Sequence, residues 1–145
     1  MADPLVLLLS GPNLNLLGAR EPEVYGTATL ADHIATFTAA LGEGFAVEHL
    51  QSNHEGVLVD AIHAGRRSAQ AIVINPGAFT HYAWAIHDAL AAFAGPIVEL
   101  HLSNPVAREA WRHQSVVAPV ATGLVSGFGG DGYRLAALAI RELLG

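Results

Sequence analysis

Hydrophobic and polar positions alternate between two textures along this chain. Five short apolar runs close on polar or turn residues: "PLVLLLS", "FAVEHLQS", "QAIVINP", "GPIVELHLSN" and "ATGLVSGFG". Their length and their closing residues predict strands. Between them, apolar residues recur at helical spacing. Leu30, Ile34, Phe37 and Leu41 form one stripe, in a helix predicted to begin near Thr29. Val57, Leu58, Ala61 and Ile62 form a second, and Ala85, Ala89 and Ala92 a third. The last helix carries Leu135, Leu138 and Leu143, with Asp131 as a candidate N-cap.

Strand alternating with helix predicts an α/β fold, with a parallel sheet covered on both faces. Five strands in 145 residues suit the flavodoxin-like, doubly wound order 2-1-3-4-5, in a single domain over residues 1–145. In such sheets, ligands bind outside the carboxyl ends of the strands. The segments that follow each strand are therefore the ones to read for chemistry.

Composition narrows the classes. The chain is 52% apolar and 14% charged, so apolar surface is expected to be buried in both sheet faces and between subunits. No cysteine is present, which removes disulfides, thiolate catalysis and cysteine metal sites. The net charge is −6 with no basic run, which argues against nucleic acid as a partner. The apolar run Pro4 to Leu9 is too short to span a membrane, and Asp3 in front of it does not suit a secretory signal. A cytoplasmic location is expected. All seven Lys or Arg positions are arginine. Without lysine there is no imine chemistry through an amine and no P-loop.

The strand ends hold polar residues. Asn13 and Asn15 follow the first strand, Asn75 ends the third and Asn104 follows the fourth. Each is a good turn former on its own, and together they suggest recognition of a small polar molecule. Glu99 and His101 lie two apart on one strand, so both side chains point to one face. They mark an exposed edge, a satisfied ion pair, or a histidine whose charge a carboxylate sets for proton transfer. Thr80 is a candidate cap for the helix that follows the third strand. His81 and Asp88 fall on one face of that helix, about 10 Å apart, too far for one small ligand to touch both. His87 has no evident partner. His33, His49, His54, His63 and His113 are assigned to helix faces or loops, and no metal-ligand spacing occurs. "GFGGDG" has the Gly-x-Gly-x-x-Gly form but precedes the last helix, so it predicts a tight turn and not a dinucleotide site.

The blocks "GPNLNLLGAREPEVYG", "QSNHEGVLVDAIH", "INPGAFTHYAWAIHDAL", "VELHLSNP", "AREAWRHQS" and "GFGGDGYRLAAL" occur in order and together resemble type II 3-dehydroquinate dehydratase almost end to end. Ala83 stands where that family commonly has serine, and Trp111 where it commonly has phenylalanine. The resemblance implies a cofactor-free and metal-free lyase that removes water from 3-dehydroquinate, in a homododecamer built as a tetramer of trimers. It implies Tyr25 as base, His101 as acid, Arg20 as the cation beside Tyr25, Asn13 stabilising the enolate through a bound water, and Glu99 behind His101. Asn75, Ser103 and the backbone of Leu102 and Ser103 would take the substrate carboxylate. His81 and Arg112 would take its ring hydroxyls, Asp88 would reach a neighbouring subunit's site, and Arg108 is a second cation for Tyr25. A free tyrosine titrates at about 10, so a tyrosine base needs cationic neighbours. The loop "GAREPEVYGT", with glycine near both ends, is then either a lid over the site or a plain solvated loop.

Two other classes fit the fold. A response receiver needs an acidic cluster at the ends of strands 1 and 3 and a lysine, where this chain has asparagines and no lysine. A flavin carrier needs a Ser/Thr-rich phosphate loop where "GPNLN" stands.

Overall fold

The computed structural model describes residues 2–145. Five strands form one sheet: β1 (Leu5–Ser10), β2 (Ala46–Gln51), β3 (Ala71–Asn75), β4 (Ile97–His101) and β5 (Gly123–Ser126). Their order is β2-β1-β3-β4-β5 and every pairing is parallel. This is the doubly wound flavodoxin-like order expected from the alternation. The register aligns Ser10 with Asn75, which brings the ends of the two central strands level.

The helices are α1 (Pro22–Tyr25), α2 (Leu30–Leu41), α3 (Glu55–Ser68), α4 (Trp84–Ala91) and α5 (Asp131–Leu144). One core layer packs Val6, Leu8, Val73 and Leu100 under α2 and α5, through Phe37, Leu41, Tyr133 and Ile140. The other packs Leu7, Leu9, Ile72 and Ile74 under α3 and α4, through Leu58, Ile62, Ile86 and Leu90. Alternate residues of each central strand therefore serve opposite cores, which is why those strands read as unbroken apolar runs.

Helix starts show where local sequence decided and where it did not. Thr29 caps α2 in a reciprocal pair with Asp32, as "TLAD" suggests. Asp131 is the first residue of α5 and not its cap; Gly130 holds that position. Thr80 caps nothing either. It lies in a 3-10 turn over Gly77–His81, and α4 starts from Ala83 with no side-chain cap, so His81 and Asp88 do not share one helix. His49 lies on β2, not on a helix or loop. On α5 the buried face is Gly132, Tyr133, Ala136, Ala137 and Ile140, while Leu138 and Leu143 are 46% and 45% exposed. Small residues let this helix lie close to the sheet, while Leu138 and Leu143 stay outside and Leu144 packs at the edge of the core.

The turns between β1 and β3 are back to back. Gly11 N–H donates to the Asn75 carbonyl at 2.8 Å, and a Cβ on Gly11 would lie 2.3 Å from the Pro76 carbonyl oxygen. Only glycine fits there. "GFGGDG" is a turn: Gly127 and Gly129 have φ of 92° and 59°, and α5 follows directly. Among the described residues, no helix is long and apolar enough to cross a membrane.

Candidate active site

The strand ends and the segments after them enclose a cavity of about 190 Å³. β1 delivers Pro12, Asn13 and Leu14. β3 delivers Asn75, and the turn after it delivers Gly77, Ala78 and His81. β4 ends in His101, Leu102 and Ser103, and the loop beyond supplies Pro105, Arg108, Trp111 and Arg112. Arg20 and Tyr25 close the remaining side. Ten of the twelve residues singled out in the sequence thus line one cavity. Glu99 stands behind His101, and Asp88 lies on the exposed side of α4.

Glu99 is fully buried, so its charge must be met inside the protein. His101 Nε2 lies 2.5 Å from Glu99 Oε2. A carboxylate only accepts, so Nε2 carries a proton and the pair fixes the ring orientation. Thr80 Oγ1 donates to Glu99 Oε2 at 2.6 Å, and Ser115 Oγ donates to the same carboxylate at 2.9 and 3.0 Å. Ser115 Oγ also accepts the N–H groups of Val117 and Ala118, at 3.1 and 2.9 Å, which turns its single proton toward Glu99. Burial alone pushes the Glu99 carboxyl up. The hydrogen bond and charge of His101, with the Thr80 and Ser115 hydroxyls, outweigh it and hold the carboxyl below the ordinary range. The expected cap residue Thr80 is thus part of a carboxylate cradle.

Tyr25 ends the one-turn helix α1, which breaks the loop that composition alone suggests. Arg108 Nη1 donates to the Tyr25 hydroxyl at 3.1 Å and to Ser103 Oγ at 3.0 Å. Arg20 lies against the ring, its guanidinium carbon 5.0 Å from the ring centre, and pairs with Glu21 at 3.1 Å. Two guanidiniums thus accompany the phenol: Arg108 at its oxygen, with its guanidinium carbon 5.4 Å from the ring centre, and Arg20 over the ring.

His81 donates through Nδ1 to the Gln114 carbonyl at 2.6 Å, which leaves Nε2 as acceptor on a neutral ring. Burial pushes this imidazole below its ordinary value; the carbonyl opposes that, while the charges of His101 and Arg112 add to it. Trp111 meets His81 edge to face, ring centres 5.4 Å apart, and carries the Arg112 guanidinium 3.9 Å from a ring centre. Trp111 thus orders both, a role the sequence did not reveal. Asn75 Oδ1 accepts from Gly77 N–H at 3.1 Å, so its amide nitrogen is the group left to donate.

Other expectations resolve differently. Asn104 accepts from Val106 N–H at 3.3 Å and is a turn residue. Asn15 also lies outside the cavity lining. His87 has a partner after all, donating through Nδ1 to the Val116 carbonyl at 2.6 Å. Thr80 and Ser115 had no signal as a carboxylate cradle in the sequence, because they stand 19 and 16 residues from Glu99.

A parallel α/β sheet with a cavity at its switch point, lined by an arginine-flanked tyrosine and by a histidine that a buried carboxylate holds from behind, is the arrangement of a small-molecule site equipped for proton transfer. Comparison with known proteins narrows this class. The family model "Dehydroquinase class II" matches residues 4–141. A 3-dehydroquinate dehydratase of Bacillus licheniformis is 54% identical over 134 residues, 92% of each chain. That of Bacillus subtilis is 52% identical over 143 residues, covering 97% of this chain and 94% of its own. The crystal structure of a type II dehydroquinase from Propionibacterium acnes superposes with a TM-score of 0.92 at 41% identity, covering 97% of this chain and 98% of that one. The chain belongs to the class II dehydroquinase family.

Proposed function

We propose that this protein dehydrates 3-dehydroquinate to 3-dehydroshikimate and water, through an enolate. The family supports the overall reaction. The observation that carries the stepwise reading is one cavity lined by both the Tyr25 hydroxyl and the His101 ring, on a chain without lysine.

Tyr25, as phenolate, takes the proton from the carbon next to the substrate ketone. The C–H electron pair becomes the enolate, and Asn13 faces the charge that develops on oxygen. The carbonyl then re-forms, the C–O bond one carbon further on breaks, and His101 protonates the departing oxygen, which leaves as water. Tyr25 returns its proton to solvent and His101 regains one, so the enzyme is restored. His101 keeps its Nε2 proton on Glu99 throughout, and Nδ1 is the donating atom. Arg108 and Arg20 give a phenolate positive charge on two sides.

The substrate carboxylate is assigned to the Asn75 amide, the Ser103 hydroxyl and the backbone N–H groups of Leu102 and Ser103. Ser103 Oγ already accepts from Arg108, which leaves its proton for that carboxylate. His81 and Arg112 take ring hydroxyls. The loop Gly18–Thr27 acts as the lid: Gly18 and Gly26 have φ of 92° and 84°, and Arg20 and Tyr25 ride between them. No metal or organic cofactor has a place in this scheme.

Asp88 belongs to a neighbouring subunit's site, in a homododecamer made of four trimers. Its exposure away from its own cavity supports this, as do Tyr82 and Trp84 beside it, 58% and 62% exposed. The reaction suits aromatic biosynthesis or quinate breakdown, and its proposed place is the cytoplasm. The test is direct. Folded, assembled protein mixed with 3-dehydroquinate produces the ultraviolet absorbance of a conjugated enone; absence of that signal overturns the proposal.

A further inference from the structure

Asn13 has φ 68° and ψ −3°, a left-handed backbone that few non-glycine residues adopt and that asparagine tolerates best among them. Tolerance alone does not select this conformation over negative φ, so its contacts decide whether it is held. Two side chains from the end of β2 hold it here. Asn53 Oδ1 accepts the Asn13 N–H at 2.9 Å. The same oxygen accepts Gln51 Nε2 at 3.2 Å, and Gln51 Nε2 also donates to the Gly11 carbonyl at 3.1 Å. With two donors on it, that position must be the amide oxygen, so the Asn53 side chain has one orientation. On its other flank the loop rests on Pro76 and Gly77, where no Cβ fits at Gly11. Neither Asn53 nor Gln51 lines the cavity.

We propose that Asn53, steadied by Gln51, is a positioning residue that holds Asn13 in its left-handed conformation and so aims its amide at the developing enolate. The proposal rests on the role given to Asn13 above. Release of the Asn13 N–H lets the peptide relax toward negative φ, which swings the side chain away from the reacting oxygen. A misplacement of about 1 Å lowers a rate on the order of a hundredfold.

The test compares Asn53→Ala and Asn53→Asp, each also combined with Asn13→Ala, in the assembled enzyme. Asn53→Ala lowers kcat by roughly ten- to a hundredfold with KM within about twofold. Asn53→Asp, which keeps the accepting oxygen, recovers most of the rate. In the Asn13→Ala background Asn53→Ala lowers kcat no further, because the two residues act as one unit. A crystal structure of Asn53→Ala shows Asn13 with negative φ. Normal kcat in Asn53→Ala, multiplying losses in the double variant, or an unchanged φ at Asn13 overturns the proposal. Failure of the underlying reading looks different: Asn13→Ala alone then turns over normally, whatever its backbone does.

Discussion

The two expected proton-transfer groups are mounted on opposite kinds of structure. His101 ends a buried strand, and Glu99 behind it is fully buried and held by Thr80 and Ser115 as well. Tyr25 ends a four-residue helix in which no residue is buried, between two glycines of positive φ. The proposed acid is built into the core, while the proposed base rides on an exposed loop. The proposed mechanism suits this division. A buried carboxylate needs permanent partners, while a lid must open for substrate and close over it. Damage to the two sides should therefore differ in kind as well as in size.

The largest expected effect is on the loop side. Tyr25→Phe lowers kcat by about 10³-fold or more, since it deletes the proposed base. Thermal stability and assembly stay as they are, because the lost hydroxyl hydrogen-bonds only to Arg108 among the described residues, at a solvent-reaching cavity. Steady-state kinetics beside a melting curve checks both halves. A Phe variant with near-normal turnover removes Tyr25 from the mechanism; one that melts much earlier removes the contrast with the acid side.

Glu99→Gln is the matching change on the fixed side, and it should injure rate and stability together. The amide oxygen must stay opposite His101 and Thr80, so the NH2 takes the Oε1 position and faces Ser115 Oγ, which already accepts from Val117 and Ala118. A buried donor left without a partner costs about 1–3 kcal/mol. His101 also loses the negative charge beside it, so kcat falls by roughly a hundredfold. Denaturant unfolding and kinetics measure the two losses. A rate loss with full stability would show that the cradle carries no structural share.

The same contrast explains what was legible in the sequence. Alternation of apolar runs gave strand number and the covered parallel sheet, because buried parallel strands and amphipathic helices leave periodic marks; the strand order came by analogy with a common five-stranded fold. The Glu99–His101 pair was visible because a two-residue spacing on a strand fixes a shared face. Ten site residues gathered in one cavity because strand-end position, with the family resemblance, already located them. Thr80, Ser115 and Asn53 were not visible in their roles. Each acts through a contact across 16 to 40 residues. Short-range pattern carries no record of such contacts. Nor did it foretell that Arg108, 83 residues away, and not Arg20, meets the Tyr25 hydroxyl. The exposed Leu138 and Leu143 mark the opposite error, where a helical stripe of leucines did not face the chain's own core.

The smallest effect extends the comparison to the other side of the sheet and concerns pH. His33 of α2 stacks on Tyr133 of α5, ring centres 4.8 Å apart and 5° from parallel. Its Nε2 is buried and has no hydrogen-bond partner among the described residues. Burial pushes this imidazole below the ordinary 6.5, against the opposing charge of Asp32. The folded protein thus binds the His33 proton less readily than the unfolded chain does. Stability is then at its full value above 6.5 and declines as pH falls below 6.5 and through the lowered folded value. His49 and His81, also pushed down by burial, act in the same direction. His33→Phe keeps a flat ring on Tyr133 and removes the titrating group. The expected result is a shallower fall of Tm on the acid side of 6.5, with kcat near neutrality unchanged because His33 does not line the cavity. Melting curves across that range, for both proteins, decide it. An unchanged slope would assign the acid sensitivity to His49 and His81, while a loss of kcat at neutral pH would mean that the α2–α5 layer reaches the chemistry after all.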